Sequence, residues 1–142
     1  RLNGHGAGAH KYVRGDVLEF LRSHAPGEWY DLAVVDPPTF SNSKSTEEDW
    51  EVAHGHAELL RLLVPLMARP RSAGAAASGG GGGGEHRGAS GVIYFSTNYR
   101  RFKLDEELLG ELGVAHREIS NQTVPPEYRN ERIHRCWRMV VK

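Results

Sequence analysis

The sequence has little of several features that mark particular protein classes. Its 142 residues contain one cysteine, Cys136, which excludes a disulfide framework and a four-cysteine zinc site. No apolar run approaches the roughly 20 residues of a membrane-spanning helix, and no secretory signal is visible. Basic and acidic side chains number 18 each, so no net charge indicates a polyanionic partner. We therefore expect a cytoplasmic protein without a membrane segment, in which any nucleic-acid contact depends on a local basic patch.

The length predicts one domain with its own core. The chain begins at Arg1 rather than at methionine, and we expect it to be a fragment or a processed form of a longer protein. Residues 71–90 have low complexity and include six consecutive glycines at 79–84. A phosphate-binding loop follows a strand and precedes a helix, which this run does not. We interpret it as a flexible surface insert within a single domain over residues 1–142.

Apolar patterns predict strands and helices in alternation. The continuous apolar run at 32–35, within a strand predicted over 29–36, is typical of a strand covered on both faces. Apolar residues three or four apart predict a helix over 45–67, which Pro65 should kink or shorten. The other elements are predicted as strands at 10–16, 91–98, 115–123 and 136–142 and as helices at 17–23 and 105–112.

This order of elements predicts an α/β fold. Strands that alternate with helices form a mostly parallel sheet with helices on both faces, and the two successive strands at the end predict an antiparallel hairpin at the sheet edge. Such sheets bind ligands beyond the carboxyl ends of their strands. That rule selects Asp16, Asn98 and the segment 36–40 as candidate site positions.

The segment 36–44 reads Asp-Pro-Pro-Thr-Phe-Ser-Asn-Ser-Lys. It resembles the fourth motif of class I S-adenosylmethionine (SAM)-dependent methyltransferases, in the form carried by the bacterial 23S rRNA guanine-N7 methyltransferases. Three further stretches resemble the same family in the same order, so the resemblance covers nearly the whole chain outside the glycine-rich insert. These stretches are residues 2–4 with 15–16, residues 95–98 with 101–105, and residues 129–130 with 133–137.

The resemblance implies a Rossmann-like class I methyltransferase sheet whose first two strands are missing from this chain. In the family, the missing parts hold the methionine moiety and the ribose of the cofactor. The resemblance also implies SAM as cofactor, no metal, 23S ribosomal RNA as substrate, and the missing N-terminal part of the same polypeptide as a partner. The glycine-rich insert departs from the family, which has a short turn there.

Guanine N7 carries an in-plane lone pair and no proton, so its methylation needs positioning more than a general base. By resemblance, Asp36 lies between cofactor and base, where it orients the guanine or stabilises the positive charge of the product. Pro37 and Pro38 fix the backbone so that its carbonyls point into the site. The family pattern implies that Asp16 accepts a hydrogen bond from the adenine amino group of SAM. Val17 would then offer its backbone amide to the adenine ring.

The remaining candidates are substrate-binding residues, and each has an ordinary structural alternative. Phe40 is a candidate for stacking on a flipped base, or else a core side chain under the loop. Lys44 is a candidate phosphate contact, or else a solvated surface residue. Thr39 and Ser41 belong to the same motif segment and are assigned to the substrate with it.

Two further candidates follow the strand predicted at 91–98. Asn98 either lines the base pocket or forms a turn. Arg101, with Arg100 and Lys103, either adds positive charge across the cleft or is a solvated surface residue. The histidines predict no metal site, because His54 and His56 are two residues apart on a helix and therefore lie on different faces. Both are expected at the surface.

Of three alternative functions, pyrimidine C5 methylation is disfavoured and the other two stay open. Pyrimidine C5 methylation needs a cysteine nucleophile, and none is expected near Asp36. Amino-group methylation of guanine or adenine uses a shorter Asp-Pro-Pro-aromatic motif, whereas Thr39 here shifts Phe40 by one position. The chain can also be an inactive fragment or a module that only binds.

Overall fold

The computed structural model describes residues 10–24, 27–41, 50–68, 91–125, 127 and 133–141. In chain order the elements are α1 (Val17–Arg22), β1 (Leu32–Val35), β2 (Phe40–Ser41), β3 (Trp50–Glu51), α2 (Val52–Met67), β4 (Val92–Thr97), α3 (Glu106–Glu111), β5 (Val114–Glu118), α4 (Ser120–Thr123) and β6 (Arg135–Val141). Within these ranges, no helix has the length and apolar character that crossing a bilayer requires.

Four strands form one sheet in the order β1-β4-β6-β5. Strands β1 and β4 are parallel, with Val35 opposite Phe95. Strand β6 runs antiparallel to both β4 and β5, which confirms the predicted terminal hairpin. The expectation of a mostly parallel sheet is wrong for the described strands, because β6 inserts between β4 and β5 and makes two of the three ladders antiparallel. The result is an α/β fold with a mixed sheet.

One face of the sheet carries the core. Along β4, residues 93, 95 and 97 are buried and their neighbours are half-buried, so alternate side chains point to opposite faces. Helices α2 and α3 cover the buried face, with the largest contributions from Leu60, Met67, Ile93, Phe95, Phe102, Leu108, Leu109 and Met139. On β1, Leu32 and Val34 point away from this core and are 58% and 74% exposed. The expectation of cover on both faces is therefore wrong at β1.

Two helices begin where an aspartate caps them. Asp16 accepts a hydrogen bond from the backbone N–H of Glu19 at 2.9 Å, which starts α1. Asp105 does the same for Leu108 at 2.9 Å, which starts α3. Gly113 follows α3 with a φ of 67°, a left-handed conformation that glycine adopts without strain. These caps set the ends of the two short helices close to the predicted positions.

Three predicted boundaries differ from the structure. Residues 10–16 form no strand, and the strand predicted over 115–123 ends at Glu118 because residues 120–123 turn into α4. The helix predicted from residue 45 begins at Val52, since residues 50–51 pair with β2 instead. Residues 42–49 of that prediction lie outside the described part of the chain.

Candidate functional site

Asp36 and Ser96 meet at one edge of the sheet. Asp36 directly follows β1, and Ser96 lies near the end of β4, one position beyond the register pair Val35 and Phe95. The Ser96 hydroxyl donates a hydrogen bond to Asp36 Oδ1 at 2.8 Å. Asp36 is exposed. The motif aspartate therefore lies open to solvent at the carboxyl edge of two parallel strands, where such sheets bind ligands.

Ser96 is a contact that sequence reasoning missed. It lies 60 residues from Asp36 in the chain, and a serine inside an apolar strand carries no signal of its own. The pairing of β1 with β4 brings the two together. Only the parallel register of the two strands could have predicted this contact, because it places the residue after β1 beside the fifth residue of β4.

Cys136 lies closer to this site than the sequence indicates. It is the register partner of Ser96 on β6, and its thiol is buried. Burial raises the pKa of the Cys136 thiol; a hydrogen bond with Thr123 opposes that shift, and the negative charge of Asp36 adds to it. The expectation that no cysteine lies near Asp36 is therefore wrong. A buried thiol with a raised pKa stays protonated at neutral pH and is a poor nucleophile.

The double-proline turn leads from β1 into a short ladder. Pro37 is half-buried and Pro38 is exposed. Thr39 is half-buried, and its carbonyl oxygen accepts a hydrogen bond from the backbone N–H of Val52 at 3.3 Å. Phe40 pairs with Glu51 in the β2–β3 ladder. Thr39 and Phe40 are thus tied to the start of α2.

The backbone of Ser41 continues the same ladder, opposite Trp50. Lys44 lies outside the described residues.

The loop after β4 carries Asn98 and Arg101, and both are exposed. Asn98 directly follows β4, at the same edge as Asp36. Phe102 ends the loop's turn through a hydrogen bond from its backbone N–H to the Tyr99 carbonyl at 3.0 Å. Its side chain is buried in the core. The anchored ring holds one end of the loop and leaves the polar side chains in solvent.

His56 also fixes this loop, contrary to expectation. His54 is exposed as predicted, but His56 is only 4% exposed. Its ring packs against Phe102 and accepts a hydrogen bond from the backbone of Asp105. The prediction of a surface position for His56 is wrong, because it lies on the buried stripe of α2 with Val52 and Leu59.

Asp16 and Val17 begin helix α1. Asp16 uses Oδ1 for the helix cap, and the part of the chain that the structure describes gives it no hydrogen bond to Asp36 or Asn98. Val17 is 55% exposed. As the first residue of the helix, its backbone N–H has no partner in the helical ladder. Helix α1 packs against α2, and Arg22 forms an ion pair with Glu58. Among the described residues, no group of three or more potential metal ligands comes together.

No family model matches this sequence. The fold is similar to that in the crystal structure of SMU.776, described as "a putative methyltransferase complexed with SAH", with a TM-score of 0.51 and 17% identity. The similarity covers 87% of this chain and 29% of that one. At this identity the likeness shows the fold alone: the chain shares its α/β fold with that protein and spans less than a third of its length.

Proposed function

We propose that this chain is part of a cytoplasmic, SAM-dependent methyltransferase that modifies a guanine of 23S ribosomal RNA at N7. The observation that carries the proposal is the exposed Asp36 carboxylate, which Ser96 holds at the carboxyl edge of β1 and β4. The Asp-Pro-Pro sequence around it resembles the family's fourth motif. A structural neighbour of the same fold was crystallised with SAH, the product that SAM leaves after methyl transfer.

The residues expected to hold the adenine of SAM fit that role. Asp16 is exposed and uses only Oδ1 in the helix cap, so its second carboxylate oxygen is available to accept from an amino group. Val17 offers a backbone N–H that the helix does not use. When bound, SAM supplies an activated methyl group and its leaving sulfur.

Asp36 acts through position and charge. Its Oδ2 makes no hydrogen bond with the described residues, while Oδ1 accepts from Ser96. A guanine base has N–H groups that can donate hydrogen bonds to a carboxylate. These hydrogen bonds orient the ring so that N7 faces the methyl group. As N7 forms the new N–C bond, the purine ring gains positive charge. The nearby negative carboxylate stabilises that charge. No proton is lost from N7, so Asp36 has no proton to remove.

Cationic side chains lie beside the same edge. Arg100, Arg101 and Lys103 are all exposed on the loop after β4. Phosphate contacts from such residues position an RNA strand without reading its sequence. This local patch reconciles an RNA substrate with a chain whose formal net charge is zero.

We also propose that the N-terminal part of the same polypeptide covers β1. Nine large apolar side chains are exposed among the described residues, and all but Ile133 lie between Tyr12 and Val34. An exposed edge strand with an apolar face favours pairing with further polypeptide. A segment that continues the sheet beside β1 would bury Leu32 and Val34, the most exposed apolar side chains of the strand.

The test uses the natural protein that contains this chain, incubated with SAM and unmodified 23S rRNA transcript. We expect mass spectrometry of the digested RNA to detect 7-methylguanosine only when SAM is present. Asp36→Ala should lower the rate by at least about 100-fold, because it removes a charge aimed at the developing cation. Asp31→Ala is the matched control, since Asp31 is an exposed aspartate just before β1 and should keep the full rate.

Other outcomes distinguish the alternatives. A product methylated on an amino group would replace the N7 assignment with amino-group chemistry. A methyl group on pyrimidine C5 would require a thiolate and would contradict the protonated state of Cys136. Absence of methylation together with absence of SAM binding in calorimetry would leave a binding module as the remaining function.

A further inference from the structure

Ser96 lies on the face of β4 opposite the core. Its neighbours Phe95 and Thr97 are fully buried on the other face, and Ser96 itself is half-buried. The hydroxyl group therefore stands above the sheet near the strand end, where Asp36 leaves β1. The 2.8 Å hydrogen bond between them joins two strands through side chains, beyond the last register pair of their ladder.

A hydrogen bond from a hydroxyl to a carboxylate is charge-assisted and stronger than a neutral one. An aspartate just past a strand end otherwise samples several staggered rotamers. Donation uses the only proton of the hydroxyl and one carboxylate oxygen, and it leaves the other oxygen without a partner in the described part of the chain. The hydrogen bond therefore fixes Oδ1 against Ser96 and leaves Oδ2 able to accept from another group.

We propose that Ser96 is a positioning residue for methyl transfer: it sets the rotamer of Asp36 so that Oδ2 faces the guanine. This inference rests on the proposed function and adds a residue to its site. Ser96 acts through Asp36 and needs no contact with the substrate.

The test compares Ser96→Ala, Ser96→Thr and Ser23→Ala in the natural protein containing this chain. Ser96→Ala should lower kcat about 10- to 100-fold, the effect of losing a hydrogen bond to a charged group that must be placed accurately. KM for the RNA should change by less than about threefold, because the lost contact matters mainly in the transition state. Ser96→Thr keeps a hydroxyl on the strand and should recover most of kcat. Ser23→Ala removes a serine hydroxyl that bonds the Phe20 carbonyl on α1 and should leave kcat unchanged.

A double-mutant cycle separates positioning from simple loss of structure. In an Asp36→Ala background, Ser96→Ala should change the residual rate less than about twofold, since there is no carboxylate left to position. The inference is overturned if Ser96→Ala keeps wild-type kcat, if Ser96→Thr is as impaired as Ser96→Ala at equal melting temperature, or if the two losses simply add. A wild-type protein without methyl-transfer activity would instead refute the proposed function.

Discussion

The imidazole of His56 joins the first turn of α2 to the start of α3. Nε2 accepts a hydrogen bond from the backbone N–H of Asp105 at 3.3 Å, and Nδ1 lies 2.9 Å from the carbonyl oxygen of Val52. Both contacts are satisfied by the neutral tautomer with its proton on Nδ1. The ring also packs edge-on against Phe102, 4.8 Å between centroids. One buried side chain thus ties the loop after β4 to the helix that follows the Asp36 motif.

His56→Leu should destabilise the fold. The substitution keeps an apolar volume but leaves the partly buried Asp105 N–H without its partner, which costs about 1–3 kcal/mol. His54→Leu is the matched control, because His54 is exposed two residues away and its change should stay within about 0.5 kcal/mol. Chemical denaturation of the two variants measures the difference. Equal unfolding free energies would contradict the role assigned to His56.

The sequence pattern identified the helix and most of its buried face. Of the apolar residues three or four apart that predict it, Leu60, Val64 and Met67 are buried, whereas Ala53 and Ala57 are half-buried. The buried face also includes His56, which no apolar pattern marks. Its burial depends on the packing of the helix against Phe102, which is tertiary information. The histidine was therefore wrongly assigned to the surface.

Gly91→Ala should destabilise the chain because there is no room for a side chain. A Cβ built on Gly91 would lie 2.6 Å from the carbonyl oxygen of Met67, a backbone atom that cannot move aside cheaply. We expect a loss of about 1–3 kcal/mol from this overpacking. Gly110→Ala, inside α3 with nothing within 4 Å of its Cβ position, should instead stabilise by about 0.5–1 kcal/mol. Thermal unfolding should show changes in stability of opposite sign for the two variants. An unchanged stability of Gly91→Ala would contradict the close packing of α2 against β4.

Strand pairing explains what the sequence could not show about the site. The positions of Asp36 and Asn98 at strand ends were predicted, since apolar runs before them ended there. Their neighbours were not, because Ser96 and Cys136 reach Asp36 only through the order β1-β4-β6. The insertion of β6 between β4 and β5 has no local signal in residues 135–141. Pairing between strands that are distant in the chain determines which residues lie next to the motif.

Stability should depend on pH through Glu118. The Arg135 guanidinium donates two hydrogen bonds to this carboxylate and lowers its pKa below the ordinary value of 4.5. A lowered pKa in the folded state stabilises the fold above pH 4.5, and this contribution is lost as pH falls through the folded value. Both partners are partly exposed, so Glu118→Gln should cost about 0.5–1 kcal/mol at pH 7 and less at pH 3. Urea denaturation at the two pH values measures the difference.

The matched control for this ion pair is Glu111→Gln, an exposed glutamate at the end of α3. It forms no ion pair with another described residue, so its small effect should not change with pH in the same way. A Glu118→Gln cost that persists at pH 3 would assign the effect to packing instead of charge.

Cys136 should react slowly with thiol reagents in the folded protein. Its burial and its raised pKa both lower the concentration of accessible thiolate. We expect alkylation at pH 8 to be at least about tenfold slower in the folded state than after unfolding in urea. Cys136→Ala should keep the rate of the proposed N7 methylation within about threefold of wild type, since no step of that reaction uses a thiolate. Fast alkylation, or loss of activity in Cys136→Ala at normal stability, would favour pyrimidine chemistry over the proposed reaction.

Replacing Val34 should change stability only when further polypeptide covers the exposed face of β1. In the isolated chain Val34 is 74% exposed, so Val34→Lys should leave stability unchanged and reduce any self-association seen by light scattering. In the natural protein, an N-terminal part packed on β1 would bury this position, and the lysine would then cost about 1–3 kcal/mol. Ile133→Lys changes an exposed apolar residue away from β1, and its effect on stability should be the same in the isolated chain and in the natural protein. Because the two proteins share residue 34 and differ only in what covers it, an equal effect of Val34→Lys in both would show that nothing packs on this strand.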